Sequence, residues 1–151
     1  MELNSYIGYA QRREEALAKA YKKAAAHHTA EPDVVGMCKV FASWSLDHAE
    51  NLKALLNRYS TDEDKKLDQS ERLKLSIHYG RLGLLQDLHE LWLMTNEVNL
   101  CWTILTQAAK ALRDTKLELA CSQYSEHTQR QLDWLTSKIK QSASQALTVP
   151  I

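Results

Sequence analysis

Ser45-Leu46-Asp47-His48-Ala49-Glu50-Asn51-Leu52 lies inside a longer run, Phe41 to Leu56, in which Phe41, Ser45, His48, Leu52 and Leu55 recur at intervals of three and four. That spacing marks one face of an α-helix. The face is apolar except where Ser45 and His48 interrupt it. Tyr124-Ser125-Glu126-His127, inside Leu117 to Ile139, repeats the arrangement, with a histidine again in the middle of a long periodic segment.

Working outward, the stripe around His48 extends to Val34, Cys38 and Tyr59, so the helix is read as about 32–59. Pro32 suits a first helical turn and Asp33 favours its N-terminus. Upstream, Ile7, Ala10, Leu17, Ala18, Tyr21 and Ala25 define a helix over about 4–28, and Thr29-Ala30-Glu31-Pro32 breaks it. A connection this short makes the two helices an antiparallel pair. Downstream, residues 60–83 form a charged and then glycine-containing crossover, with a short helix expected from Ser70 to about His78. A third helix is read over about 84–112 through Leu88, Leu91, Trp92, Val98, Trp102, Leu105 and Ala109. The fourth covers about 115–141 through Leu117, Cys121, Tyr124, Leu132, Leu135 and Ile139. Thr115-Lys116-Leu117-Glu118 reads as its capping box, Lys138 and Lys140 suit its C-terminal dipole, and residues 142–151 are read as a tail.

The chain of 151 residues is therefore expected to be one all-α domain, 1–151. It forms two antiparallel helix hairpins joined by a long crossover. A helix of about 25 residues is ~38 Å long, so the crossover can run back along the bundle. Four glycines, two prolines and one phenylalanine provide little material for β-turns. Formal net charge is zero with scattered Lys and Arg, which gives no electrostatic reason to expect nucleic acid or an anionic membrane. No apolar run is long enough to span a bilayer, no export signal is visible, and Cys38, Cys101 and Cys121 show no CxxC spacing. The expectation is a cytoplasmic protein with buried, reduced thiols.

Carboxylate-bridged di-metal bundles place Glu-x-x-His on two helices and a lone Glu on each of the others. The motifs here resemble the ferritin-like superfamily, in particular rubrerythrin-like four-helix bundles. Ser45-x-x-His48-Ala49-x-x-Leu52 is similar to the family's Glu-x-x-His-Ala-x-x-Leu on the second helix, and Tyr124-x-x-His127 to its fourth-helix motif. The resemblance places the family's two lone glutamates on Glu14 and Glu97. The departures are Ser45 and Tyr124, which occupy positions where the family has Glu.

Periodicity also sets Glu14 on the stripe of Ala10, Leu17 and Tyr21, and flanks Glu97 with Leu93, Met94, Leu100, Cys101 and Ile104. Carboxylates on apolar faces need partners or must be neutral. Glu14, His48, Glu97 and His127 are enough for one Fe, Mn or Zn ion and a poor set for two. The competing arrangement is a metal-free network in which the same side chains bond one another and Ser45 and Tyr124. Asp47, Glu50 and Glu126 are expected to point away from the centre. His27-His28 reads as a helix-end pair, His78 and His89 lack ligand-spaced partners, and the four tryptophans read as packing residues.

The leading functional expectation is a non-catalytic interaction bundle without a competent di-iron centre. The apolar third helix offers an interface for a homodimer. The alternatives are a metal-binding oxidoreductase or metal-handling protein with a reduced Glu/His site, and a small-ligand binder in the bundle core.

Overall fold

In the computed structural model, residues 2–59, 75 and 78–149 are described. Four helices follow in order: α1 (Leu3–His27), α2 (Pro32–Tyr59), α3 (Gly80–Leu112) and α4 (Thr115–Thr148). No strand occurs among the described residues. The expected short helix over 70–78 falls largely outside them.

Each of the α1, α2 and α4 stripes read from periodicity faces the core. Ile7, Leu17 and Tyr21 of α1, Val34, Cys38, Phe41 and Leu52 of α2, and Leu117, Cys121 and Leu135 of α4 are all essentially inaccessible. Val34 starts its stripe correctly because Pro32 and Asp33 occupy the first turn of α2. α1 packs along α2 and α3 along α4, giving two helical hairpins. The hairpins meet mainly through α1 against α3. α2 and α4 touch much less, and among the described residues α2 does not neighbour α3.

The helix ends differ from the sequence reading at three places, each for a local reason. α3 begins at Gly80, four residues before Leu84, with Gly80 at φ 79° leading the chain in. Gly83, read as part of a break, lies in its first turn. There a Cβ would come within 2.7 Å of the His78 carbonyl carbon, so only glycine lets the incoming chain lie so close to the helix. At the α3–α4 corner, Arg113 takes the left-handed conformation at φ 53° and Asp114 caps α4, its side chain accepting from the Leu117 N–H at 3.1 Å. Thr115, expected to be that cap, is the first helical residue instead. α4 also continues to Thr148 because Ser142, Ala143 and Ala146 carry no helix-breaking group. Lys138 is consequently not at a helix C-terminus. It is buried against the start of α2, 2.8 Å from Asp33, and this contact lowers the Asp33 pKa.

Candidate functional site: a carboxyl–imidazole chain beneath the α2–α4 cleft

Glu14 is fully buried in the middle of α1, and His48 faces it from α2. His48 Nδ1 lies 2.5 Å from Glu14 Oε2, and His48 Nε2 lies 2.9 Å from Nδ1 of His127 on α4. Three of the four residues picked from the sequence are thus joined in a line. A line is not a ligand cage: Glu14 and His127 occupy opposite nitrogens of one ring, so His48 has none left to offer without breaking a bond.

Protonation follows from burial. Glu14 has lost its water, which raises its pKa well above the ordinary carboxyl range. The same desolvation pulls His48 down to about 4, and burial with His48 as neighbour also lowers His127. Both directions favour a neutral pair in which the Glu14 carboxyl donates to His48 Nδ1. Proton balance then puts the remaining imidazole proton on Nε2, which donates to His127 Nδ1. Glu14 Oε1 has no hydrogen-bond partner. As the carbonyl oxygen of a neutral acid, it costs far less to bury than half of a carboxylate would.

Glu97 is elsewhere engaged. Tyr9 donates to Glu97 Oε1 at 2.6 Å, and the buried Arg13 guanidinium lies 3.3 Å from the same oxygen. Arg13 supplies the positive charge that a metal would otherwise bring to this carboxylate. Glu97 sits at the boundary of α3: Met94 and Cys101 are buried, whereas Leu93, Leu100 and Ile104 are exposed.

Ser45 and Tyr124, three residues before His48 and His127, are also engaged. Ser45 Oγ accepts from Gln131 Nε2 at 3.3 Å, and the same amide reaches the Phe41 carbonyl. The Tyr124 hydroxyl accepts from Asn51 Nδ2, and its ring lies over His48 with centroids 4.3 Å apart. Trp102 meets the same imidazole edge-on at 5.9 Å. These donors do not fit a di-metal centre: Ser45 and Tyr124 supply no bridging carboxylate, one histidine is used at both nitrogens, and an arginine stands beside Glu97. The thiols offer no alternative chemistry. Burial pushes Cys38 up to about 12 and Cys101 and Cys121 to about 11, so none is a thiolate at neutral pH.

The chain opens at His127 into a cleft of about 310 Å³. It exists because α2 and α4 pack loosely here. Trp44 and Tyr124 form aromatic walls, and Asp47, Glu50 and Asn51 line the rim. Asp47 and Glu50 are exposed and point away from the buried centre, as their helical angle requires. Glu126 is also exposed and pairs with Arg130 at 2.9 Å. No lysine or arginine lines the cleft. A larger groove of about 510 Å³ beside Trp92 and Ile139 is shallow and mostly apolar, with His89, Thr136 and Lys140 also lining it.

A second polar cluster lies at the C-terminal end of α1. Asp87 accepts from both His28, at 2.7 Å, and His78, at 2.7 Å. Neither histidine's role was legible from spacing, because the three residues come from three separate segments. The signal that was available is Asp87 itself, an acidic residue between Leu84 and Leu88 on the apolar side of α3. No helix among the described residues is long and apolar enough to cross a membrane. No protein-family model, curated protein or solved structure matches the chain.

Proposed function

We propose that this protein is a non-enzymatic binding bundle that takes a small organic cation, such as a primary or quaternary amine, into the α2–α4 cleft without a metal there. The observation that carries this reading is the cleft itself. Two carboxylates, Asp47 and Glu50, stand with two aromatic faces over a floor of neutral imidazoles, and no basic side chain lines the space. Its volume is at the small end for ligand pockets. A cation gains from the carboxylates and the Trp44 face together. Neutral His48 and His127 add no opposing charge.

The wider fold is best read as a ferritin-like bundle that has kept two histidines and replaced the motif glutamates. Support comes from the pairing of α1 with α3 and of α2 with α4, which leaves α2 and α3 diagonal, as a long crossover between parallel helices would place them. Three buried free thiols suit a reducing, cytoplasmic setting. Leu93, Leu100 and Ile104, exposed along one side of α3, support a homodimer. The metal-handling alternative, with Fe, Mn or Zn held by Glu14, His48, Glu97 and His127, draws on the unpartnered Glu14 Oε1. It requires the ion to displace both His48 hydrogen bonds and to compete with Arg13 for Glu97.

Calorimetric titration with putrescine and choline tests the proposal. Saturable one-to-one binding, unchanged by EDTA and weakened about tenfold or more in Asp47→Asn/Glu50→Gln, is expected. Absence of binding by either amine up to about 10 mM would overturn it. Fe, Mn or Zn that copurifies and is lost in His48→Ala/His127→Ala would favour the metal-handling reading.

A further inference from the structure

The geometry points to a divalent transition-metal site of the Zn²⁺ class at the end of the bundle, formed by His78, Asp87 and Glu90 and braced by His28. It is separate from the α2–α4 cleft: His28 and Glu14 are fourteen residues apart along α1, or about 21 Å at helical rise.

One ligand atom from each of His78, Asp87 and Glu90 lies within 4.8 Å of the other two. Asp87 and Glu90 are three residues apart and share a face of α3. His78 reaches that face from the segment leading into α3, and its approach depends on Gly83, where even a Cβ would collide with the His78 backbone. The Asp87 carboxylate is 1 % exposed, and two imidazoles converge on it. His28 Nε2 holds Oδ2 at 2.7 Å, and the backbone N–H of His78 donates to the same oxygen at 3.2 Å. Oδ1 faces His78 Nδ1 at 2.7 Å.

That arrangement has the parts of a metal site with its supporting shell. One imidazole and two carboxylates are ligands that Zn²⁺ accepts, with a position left for water. Ligating carboxylates are themselves held by hydrogen bonds, and His28 supplies one here to the second Asp87 oxygen. The ion takes the place of the proton shared by His78 and Asp87, which leaves to solvent. Nitrogen and oxygen then separate from 2.7 Å to the ~3.3 Å that two ~2.05 Å bonds at tetrahedral angle require. His78 is 35 % exposed on its side chain and Glu90 half-buried, so the ion has a path in. Bound there, it would pin the end of α1 and the start of α3 together.

A hydrogen-bonded latch without metal would use His28, Asp87 and His78 in the same way but would bind no Zn²⁺. The experiment separates the two. Untagged full-length chain is stripped with chelator, dialysed, and titrated with Zn²⁺ by calorimetry and by thermal unfolding. The wild type is expected to bind one Zn²⁺ per chain and to gain about 5 °C or more in Tm at about a hundredfold excess over Kd. Glu90→Gln and His78→Ala are expected to weaken binding about tenfold or more and to remove the Zn²⁺-dependent gain. His48→Ala/His127→Ala is expected to keep both. No Zn²⁺ binding by folded wild type, binding unchanged in Glu90→Gln, or binding lost only in His48→Ala/His127→Ala would each overturn the proposal.

Discussion

A neutral carboxyl at Glu14 and a neutral imidazole at His48 respond to pH in opposite directions. Glu14 has a folded pKa raised above its unfolded value of 4.5, so its contribution to stability is fully present below 4.5 and is lost as pH rises through the raised value. His48 is a base with its folded pKa depressed to about 4, so its contribution is fully present above 6.5 and is lost as pH falls toward 4. Glu14→Gln keeps an N–H to donate to His48 Nδ1 and removes the carboxyl titration. Relative to wild type it is expected to gain stability between about pH 5 and pH 8 in urea unfolding, and to lie within ~1 kcal/mol of it or above it near neutrality. A relative loss as pH rises would mean that Glu14 is ionised in the fold. Glu14→Ala leaves a hole and an unpaired His48 nitrogen, and is expected to cost about 2–4 kcal/mol.

At the scale of single helices, the start of α4 shows how a local signal is misassigned by one residue. Asp114-Thr115-Lys116-Leu117-Glu118 contains two good capping residues in succession. Asp114 wins because Arg113 has already turned the chain into the left-handed region, which leaves Asp114 extended and its carboxylate over the first turn. Asp114 also lies 3.4 Å from Arg58, a partly exposed pair that adds little. Asp114→Ala is expected to lower stability by about 1 kcal/mol and Thr115→Ala by less than ~0.5 kcal/mol, measured by chemical denaturation. Equal costs would place the cap at Thr115. α3 shows a different limit. Its apolar residues run nearly all round, so periodicity could not tell the buried side, with Met94 and Cys101, from the exposed side, with Leu93, Leu100 and Ile104. Glu97 falls on the boundary, which is why Tyr9 and Arg13 reach it and His48 does not.

For the whole molecule, four helices and two hairpins were legible because the α1, α2 and α4 stripes are continuous and the α1–α2 and α3–α4 breaks are short. Glu14, His48 and His127 were legible as polar interruptions of those stripes. The Arg13–Glu97–Tyr9 group and the His28–Asp87–His78 cluster were not, because Glu97 lies on an edge that periodicity leaves undefined and His28 and His78 lie outside the periodic stripes, at the end of α1 and just before α3. The exposed side of α3 gives the assembly prediction. Sedimentation of the wild type at micromolar concentration is expected to show a dimer, and Leu100→Glu/Ile104→Glu a folded monomer. A wild-type monomer across that range would remove α3 as a subunit interface.

The claim on which the rest depends is that the bundle centre is a neutral hydrogen-bonded chain with no nitrogen of His48 to spare. Long-range ¹H–¹⁵N spectroscopy of ¹⁵N-histidine-labelled protein tests it most directly. The account predicts that His48 carries one proton, on Nε2, from about pH 8 down to about pH 5, and that this signal is unmoved by added Zn²⁺. A doubly protonated His48 near pH 6, or loss of its Nε2 proton when Zn²⁺ is added, would contradict it.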